Sequence, residues 1–250
     1  MQTLIDRLIL LKNEHHLDGI KGGTEVEAMT FEEISLMRRI SEGICPMTVK
    51  IGGPEARNDI DFMINAKIDY ILAPMIESVY GLKNFVETAR SMDQEGTCGL
   101  AVNIETVTAV EKIRDIFGCP WFKSVEKVTV GRSDLSSSMG LPVDSAEVIR
   151  ATIYILSLAK KSGKTTSVGG QINPENAKLI RNSIESDTVN TRHMVICTAS
   201  DDISRDVSLG LEWEMDFYKY LYELFPFRRK LYLSRIDSIE SRIRTSILAV

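Results

Sequence analysis

Two nearly all-apolar runs, separated by one helix-like segment, constrain the fold of this chain more than any other feature. The runs are GLAVNI (99–104) and VTVG (128–131), and VTAVEKIRDIF (107–117) lies between them. Strands that are apolar on both faces are typical of a parallel sheet covered by helices or of the packed wall of an α/β barrel. A strand–helix–strand unit of this kind is right-handed, so we expect both carboxyl ends on the same side.

One carboxylate follows each of the two runs, Glu105 after the first and Asp134 after the second. Neighbouring parallel strands lie roughly 4.8 Å apart. The two side chains could therefore share one hard cation such as Mg²⁺, whose oxygen ligands lie at about 2.1 Å. The alternative is that each acid only opens a helix, where the helix dipole stabilises it. Spacing alone leaves both interpretations open.

Three segments carry a family resemblance. NIET (103–106) and VTVGRSDLSSSMG (128–140), together with IDYILAPMIES (68–78), resemble blocks of the HpcH/HpaI aldolase and citrate lyase β-chain family. The resemblance extends from about residue 21 to residue 170. It implies a (β/α)₈ TIM barrel, here with extra C-terminal helices. It also implies Glu105 and Asp134 as ligands of Mg²⁺ or Mn²⁺, and chemistry on the enolate of a pyruvate-like 2-oxo acid.

Two positions depart from the family pattern. Members often carry a catalytic His near the end of an early strand, but the residues after LDGIKGG (17–23) contain Glu25 and Glu27 and no His. These two glutamates face the same way in an extended chain, so they are candidate acid/base groups, and the alternative is a solvated loop. Lys50, in PMTVKIGG (46–53), stands where members commonly have a substrate-binding Arg. Lys keeps the positive charge of Arg but lacks the forked guanidinium that binds a carboxylate through two hydrogen bonds. We assign Lys50 to catalysis and substrate binding. The alternative is a structural ion pair with a glutamate.

The remaining substrate-binding candidates lie near other strand ends. Gly52 permits close approach of the backbone. Glu77 reaches toward Lys50 or, equally, opens the next helix. Arg132 is a candidate catalytic and substrate-binding cation. The alternative is that it only neutralises the charge of Asp134 through an ion pair. Ser133 is assigned to substrate binding with it.

The last predicted strand lies within TVNTRHMVICTA (188–199) and carries Arg192 and His193. Adjacent strand residues face opposite ways, so only one of the two points inward. We expect Arg192 to hold a substrate anion and His193 to be structural. Seven strands are predicted in all, and we place the unassigned eighth near the N-terminus.

Composition limits the class of protein. The length of 250 residues suits one barrel domain, with 1–200 as the barrel and 201–250 as a C-terminal helical segment. The net charge of −5 disfavours nucleic acid as a partner, and no apolar stretch is long enough to span a membrane. Four widely spaced cysteines are typical of reduced thiols in a cytoplasmic protein. The aromatic-rich C-terminal segment predicts a homo-oligomer interface, and we expect a trimer or hexamer.

The leading functional hypothesis is a divalent-metal-dependent aldolase or carbon–carbon lyase acting on a 2-oxo acid, with Mg²⁺ or Mn²⁺ as its cofactor. One alternative is a citrate-lyase-like enzyme that acts on an acyl-CoA or a phosphorylated substrate. Another is a barrel that keeps its metal and ligand site but has lost turnover. The missing His and the Lys in place of Arg motivate the last alternative.

Overall fold

The computed structural model describes the backbone of residues 1–245 and the side chains of residues 1–243. In this part of the chain eight strands form a closed barrel, with eleven helices around it and beyond it. The strands are β1 (Leu17–Gly23), β2 (Met47–Lys50), β3 (Tyr70–Ala73), β4 (Gly99–Ile104), β5 (Val125–Gly131), β6 (Thr165–Gly169), β7 (Thr188–Asn190) and β8 (Met194–Cys197). The helices are α1 (Gln2–Glu14), α2 (Phe31–Ser41), α3 (Arg57–Asn65), α4 (Val79–Met92), α5 (Val107–Glu111), α6 (Ile113–Gly118), α7 (Arg132–Met139), α8 (Ala146–Lys161), α9 (Pro174–Ser183), α10 (Ile203–Leu224) and α11 (Arg229–Thr245).

The predicted α/β barrel is confirmed, with one difference in strand direction. β1 to β7 run parallel in chain order, whereas β8 pairs antiparallel with both β7 and β1 and so closes the barrel. The placement of the eighth strand near the N-terminus was wrong, because β7 and β8 both lie within the stretch 188–199. Only residues 191–193 connect them. So short a connection can join antiparallel strands but not parallel ones, which need a crossover of a dozen residues or more.

The barrel wall is apolar on its outer face and polar within. Outward residues such as Val102 and Val128 belong to the hydrophobic core under the helices. Thr129, Ser167 and Asn190 instead line a cavity of about 30 Å³ inside the barrel. Strand runs that look apolar on both faces therefore carry small polar side chains toward the axis.

Local signals fix several helix ends. Thr30 and Glu33 form the expected capping box at the start of α2. Asn173 caps α9 and Pro174 occupies its first position, as their order in the sequence indicates. None of the four cysteines, all within the described residues, is in a disulfide. No described helix is long and apolar enough to cross a membrane.

The two C-terminal helices pack against the barrel of the same chain. Trp213 on α10 donates its indole N–H to the carbonyl of Leu4 at 2.9 Å, which ties α10 to α1. Arg235 on α11 donates to the carbonyl of Val26 at 2.7 Å, in the loop after β1. Much of the aromatic content of this segment is thus used within the chain, and Trp213, Phe217 and Tyr218 are buried there. The sequence predicts a helical segment over 201–250, and residues 246–250 of it lie outside the described residues.

Candidate active site

The carboxyl ends of the parallel strands surround a cavity of about 180 Å³. Glu105, which follows β4, and Asp134, in the first turn of α7, both line it. This is the end of an α/β barrel where active sites are built, because the loops after the strands converge there. The two acids predicted from the strand ends are therefore brought to one site.

Glu105 is only 2% exposed and is held by neighbouring polar groups. Its Oε1 accepts from the backbone N–H of Met75 at 3.0 Å, and its Oε2 accepts from Nδ2 of Asn103 at 2.9 Å. A Cβ atom at Gly131 would lie 2.5 Å from Oε2, so only glycine leaves room for this carboxylate. Burial raises the pKa of Glu105; Lys50 and the Met75 N–H oppose the shift, and Asp134 adds to it.

This donor set fits a hard divalent cation. Mg²⁺ is commonly bound by one or two carboxylates, with water and substrate oxygens completing its shell. Glu105 and Asp134 supply two such carboxylates, and a cation between them would relieve their mutual repulsion, which adds to the effect of burial in raising the pKa of Glu105. No group of three or more His, Cys, Asp or Glu side chains among the described residues has the arrangement of a metal site, so the protein would contribute two ligands.

Two Lys–Glu pairs, each with one buried and one half-buried partner, lie beside the acidic pair. Lys50 forms an ion pair with Glu25, and Nζ of Lys21 lies 3.8 Å from Oε1 of Glu27. Burial acts to lower the pKa of Lys50, but Glu27 and Glu25 outweigh it and raise that pKa above its ordinary value. Burial likewise acts to raise the pKa of Glu27, but Lys21 and Lys50 outweigh it and lower that pKa.

Lys21 is a charged site residue that sequence reasoning missed, as is Arg242 on α11. Lys21 lines both the mouth cavity and the small cavity below it, and burial lowers its pKa, with Lys50 and Arg192 adding to the shift against Glu27. A lysine inside a glycine-rich strand, between Gly19 and Gly23, was the available signal. A charged side chain at that position has to lie in the barrel interior or pack under a helix.

Glu25 is not among the described residues that line the cavity, and it meets the site through its ion pair with Lys50. Three further predicted site residues do not reach the cavity. Arg132 is 1% exposed; its guanidinium donates to Oδ1 of Asp144 and to the carbonyl of Gly170, each at 3.0 Å. It is a structural cation, and its carboxylate partner is Asp144 rather than Asp134. Gly52 is also outside the cavity lining, and its N–H donates to Oδ2 of Asp59 at 2.8 Å.

Glu77 is the third of them. It is half-buried directly before Ser78, the N-cap of α4, and it is not among the described residues that line the cavity. The predicted contact between Glu77 and Lys50 is replaced by the ion pair of Lys50 with Glu25. Of the two interpretations left open for Glu77, the structure favours the helix start.

Ser133 and Arg192 do line the cavity. A Cβ at Gly170, whose φ is +99°, would lie 2.6 Å from the backbone nitrogen of Ser133, so this glycine turn packs directly on the start of α7. Arg192 and His193 occupy the turn between β7 and β8. His193 is fully buried between the carbonyl of Lys21 and the hydroxyl of Tyr218, each 2.7 Å away, as a structural histidine should be.

Three of the five described non-glycine residues with positive φ lie at the same end of the barrel, and the other two, His16 and Lys67, come before β1 and β3. Ala28, Met75 and Gln171 all have φ between 53° and 55°, the left-handed region that non-glycine residues seldom adopt. Met75 directs its N–H at Glu105, and Gln171 lines the cavity. Strain of this kind clusters at functional sites, where the surrounding structure holds it in place.

The fold and the cavity together define a class of protein, an α/β barrel whose mouth carries a buried glutamate, an exposed aspartate and two lysines. The sequence profile of the family described as HpcH/HpaI aldolase/citrate lyase matches residues 48–182, more than half of the chain. The chain belongs to this family. Family membership supports an aldolase- or lyase-type activity.

Solved structures with the same fold include members of that family. A HpcH/HpaI aldolase/citrate lyase family protein from Burkholderia cenocepacia is 15% identical with a TM-score of 0.60, over 74% of this chain and 82% of that one. The citrate synthase SbnG is 17% identical with a TM-score of 0.59, over 73% and 80% of the two chains. A HpcH/HpaI aldolase from Desulfitobacterium hafniense is 16% identical with a TM-score of 0.59, again over 73% and 80%. No curated protein sequence matches the chain.

Proposed function

We propose that this protein is a divalent-metal-dependent aldolase or carbon–carbon lyase that acts on a 2-oxo acid. The observation that carries the proposal is the pair of carboxylates, Glu105 and Asp134, in one cavity with the ammonium group of Lys50. An acidic pair for a cation and a separate positive group for a carboxylate are the two elements that a 2-oxo acid requires. The family is also one whose members generally depend on a divalent metal.

The side chains divide the work between binding and proton transfer. Lys50, which the neighbouring glutamates keep protonated, binds the carboxylate of the 2-oxo acid. Glu27 is ionised and buried at the cavity, so it accepts the proton released from the substrate hydroxyl and returns it to the product. Glu25 positions Lys50 through their ion pair. A bound Mg²⁺ or Mn²⁺ supplies a Lewis acid for the negative charge of the pyruvate enolate.

One specific observation favours a second candidate, a barrel that binds its ligand without turnover. Glu27, proposed for proton transfer, lies near Lys21, Glu25 is paired with Lys50, and the chain has no His in the loop after β1. The other alternative is a citrate-lyase-like enzyme that acts on an acyl-CoA. Release of pyruvate from any member of a panel of aldol and acyl-CoA substrates excludes the inactive barrel, and a requirement for CoA in turnover identifies the lyase.

Calorimetric titration of Mn²⁺, with and without oxalate, tests the metal site. Oxalate imitates the pyruvate enolate, so we expect it to strengthen Mn²⁺ binding to the wild type. Asp134→Asn should weaken Mn²⁺ binding by about tenfold or more, because one of two charged ligands is lost. Asp61→Asn, an exposed change on α3, is the matched control and should bind as the wild type does.

The outcomes are separable. If Asp134→Asn binds Mn²⁺ as tightly as Asp61→Asn does, the metal site is wrongly assigned. If the wild type binds no Mn²⁺ at all, the proposed function fails and the chemistry of the cavity lies elsewhere. The proposal also includes a cytoplasmic location and a homo-oligomeric state.

A further inference from the structure

The side chain of Lys21 projects into the barrel below the mouth. On the paired strands β1 and β2, Lys21 lies opposite Thr48, and Gly23 lies opposite Lys50. Residues two apart on a strand share a face, so Lys21 and Lys50 project to the same side of the wall. That side is the barrel interior, because Lys21 and Thr48 both line the inner cavity. Two strand residues span roughly 7 Å, so Lys50 leaves the wall about that much nearer the mouth.

Lys21 is also open to the mouth. It lines the mouth cavity of about 180 Å³ as well as the inner one. Gly23, the next residue of β1 on the same face, has no side chain to cover it. The carboxylate of Glu27 uses part of the space this leaves, since a Cβ at Gly23 would overlap its Oε2. A small molecule in the mouth cavity therefore contacts Lys21 from the same side as Lys50 and Glu27.

The two lysines of the mouth are held differently. Lys50 forms an ion pair with Glu25, whereas Nζ of Lys21 lies 3.8 Å from Oε1 of Glu27, which is longer than a hydrogen bond. Burial lowers the pKa of Lys21, and Lys50 and Arg192 add to this shift against Glu27. A lysine amine that is desolvated and close to another cation is activated as a nucleophile. Lys21 has this environment, and Lys50 supplies the second cation.

Glu27 is placed to move protons at Lys21. It is 6% exposed and lines the mouth cavity, and its Oε2 has no hydrogen-bond partner among the described residues. Burial acts to raise its pKa, but Lys21 and Lys50 outweigh that effect and keep the carboxylate ionised. An ionised carboxylate with a free oxygen accepts a proton from a neighbouring ammonium and returns it to a ligand.

We propose that Lys21 forms an imine with the keto carbon of a 2-oxo acid bound in this cavity. The ammonium of Lys21 gives one proton to Glu27, and the neutral Nζ then adds to the carbonyl carbon, forming a C–N bond as the C=O π bond breaks. Glu27 returns its proton to that oxygen and takes another from the nitrogen. When Glu27 returns this second proton, the oxygen leaves as water. The ammonium and the ketone thus become a protonated imine and one water.

This inference goes beyond the proposed function. It shares with that function only the class of ligand, a 2-oxo acid whose carboxylate Lys50 binds, and it requires no metal ion. A protonated imine takes up the electron pair of a breaking bond at the adjacent carbon, as a Lewis-acidic metal ion does for an enolate. The cavity would therefore have a covalent means of activating a ketone.

Reductive trapping of the wild type with pyruvate and cyanoborohydride in EDTA tests the proposal. Cyanoborohydride reduces the imine to a secondary amine, so a carboxyethyl group remains on the lysine that reacted, and peptide mass spectrometry locates it. Lys178, which is exposed on α9, is the internal reference in the same sample. We expect Lys21 to be modified about tenfold or more faster than Lys178 at about pH 7. Each unit by which the pKa of an amine falls raises its neutral fraction about tenfold there.

Variants assign the fast reaction to one side chain. In Lys21→Met and Lys21→Arg the rapidly formed adduct should be absent from the intact mass, because neither side chain forms an imine. Lys21→Arg keeps a positive charge beside Glu27, so it separates the loss of the amine from the loss of the charge. Lys178→Met is the control and should form the adduct at the wild-type rate. Circular dichroism and the melting temperature show whether each variant is folded.

A Lys21 adduct that forms no faster than the Lys178 adduct overturns the proposal, as does a fast adduct on Lys50 alone. The wild-type peptide map decides this even if the Lys21 variants do not fold. EDTA separates the result from the metal proposal. A fast adduct at Lys21 in a protein that binds no Mn²⁺ supports the imine and removes the metal site. Tight, oxalate-strengthened Mn²⁺ binding without the adduct leaves the proposed function standing and removes only this inference.

Discussion

Arg132 and Asp134 stand two residues apart in the first turn of α7, yet their surroundings give them different roles. Asp134 lines the cavity, while Arg132 is buried behind it against Asp144 and the glycine turn after β6. A buried guanidinium that donates to a carbonyl and a carboxylate holds loops in place. We therefore expect the guanidinium of Arg132 to stabilise the loops at this end of the barrel and not to bind the substrate.

Replacement of Arg132 by Met should therefore affect stability before it affects ligand binding. We expect the free energy of unfolding to fall by roughly 1–3 kcal/mol, because Gly170 and Asp144 lose their charged donor. Urea denaturation measures this change, and Mn²⁺ titration on the folded variant should remain close to that of the wild type. A variant of unchanged stability whose Mn²⁺ affinity has fallen would show that Arg132 acts at the site after all.

The buried His193 should make the free energy of unfolding depend on pH. Burial lowers its pKa below the ordinary value of 6.5, so the unfolded chain takes up a proton at a higher pH than the folded protein does. The folded state therefore loses stability as the pH falls below about 6.5, by up to about 1.4 kcal/mol per pH unit from this residue. In His193→Gln this loss should disappear.

Urea denaturation of the wild type and His193→Gln, at several pH values between about 7 and 5, isolates the effect. Other groups titrate in this range, and the raised pKa of Glu105 acts in the opposite direction. Their contribution is common to both proteins and cancels in the difference. Parallel stability curves for the two proteins would contradict a neutral buried His193.

At the scale of the elements, the hairpin of β7 and β8 is where this barrel departs from eight parallel strands. The turn of this hairpin lies at the mouth and presents Arg192 there, and α10 packs on the outer face of β8. Gly210 of α10 makes this packing close, since a Cβ there would lie 3.0 Å from Cγ of Met194 and 3.4 Å from Cδ1 of Ile196. The antiparallel strand and the long helix therefore depend on each other.

A larger side chain at Gly210 should separate these two elements. We expect Gly210→Val to lower the free energy of unfolding by about 1–3 kcal/mol, measured by chemical denaturation, because β8 has no room to move inward. Gly118→Val, at the end of α6, is the matched control because a Cβ there meets no atom within 4 Å. Equal effects of the two changes would show that helix propensity, and not packing, governs the result.

At the scale of the whole molecule, the C-terminal helices α10 and α11 pack against the barrel of their own chain. α11 reaches the loop after β1, where Arg235 donates to the carbonyl of Val26. Tyr232 of α11 also bonds to Glu33 in α2, and Arg228, directly before α11, donates to the carbonyl of Ala28 in the loop. This loop carries Glu25 and Glu27. The helix that supplies Arg242 thus also holds the proposed acid/base loop, so one element links the two sides of the mouth.

The surface between α10 and α11 bears on the oligomeric state. Phe227 is fully exposed, and Leu224 and Leu233 are each close to half exposed. Sedimentation velocity should find the wild type as a trimer or hexamer of the 28.0 kDa chain, and Phe227→Asp should shift it toward the monomer. Tyr80→Asp, an exposed aromatic on α4, is the control. A wild type that is monomeric at every concentration would contradict the prediction.

Local patterns in the sequence determined the strands and the acidic pair. Apolar runs followed by polar residues predict strand ends, and parallel strands necessarily bring Glu105 and Asp134 to one edge. The capping residues Thr30 and Asn173 were equally readable, because a cap bonds to residues three positions away in the chain.

Only the tertiary structure decided which charged side chains contact one another at the mouth of the barrel. Lys21 reaches Glu27, Arg132 reaches Asp144 and not Asp134, and α11 delivers Arg242 to the mouth from the far end of the chain. The direction of β8 was likewise set by closure against β1. These contacts depend on the conformation of the loops and on how separate segments pack, and the sequence pattern around a charged side chain does not identify the partner that it will meet.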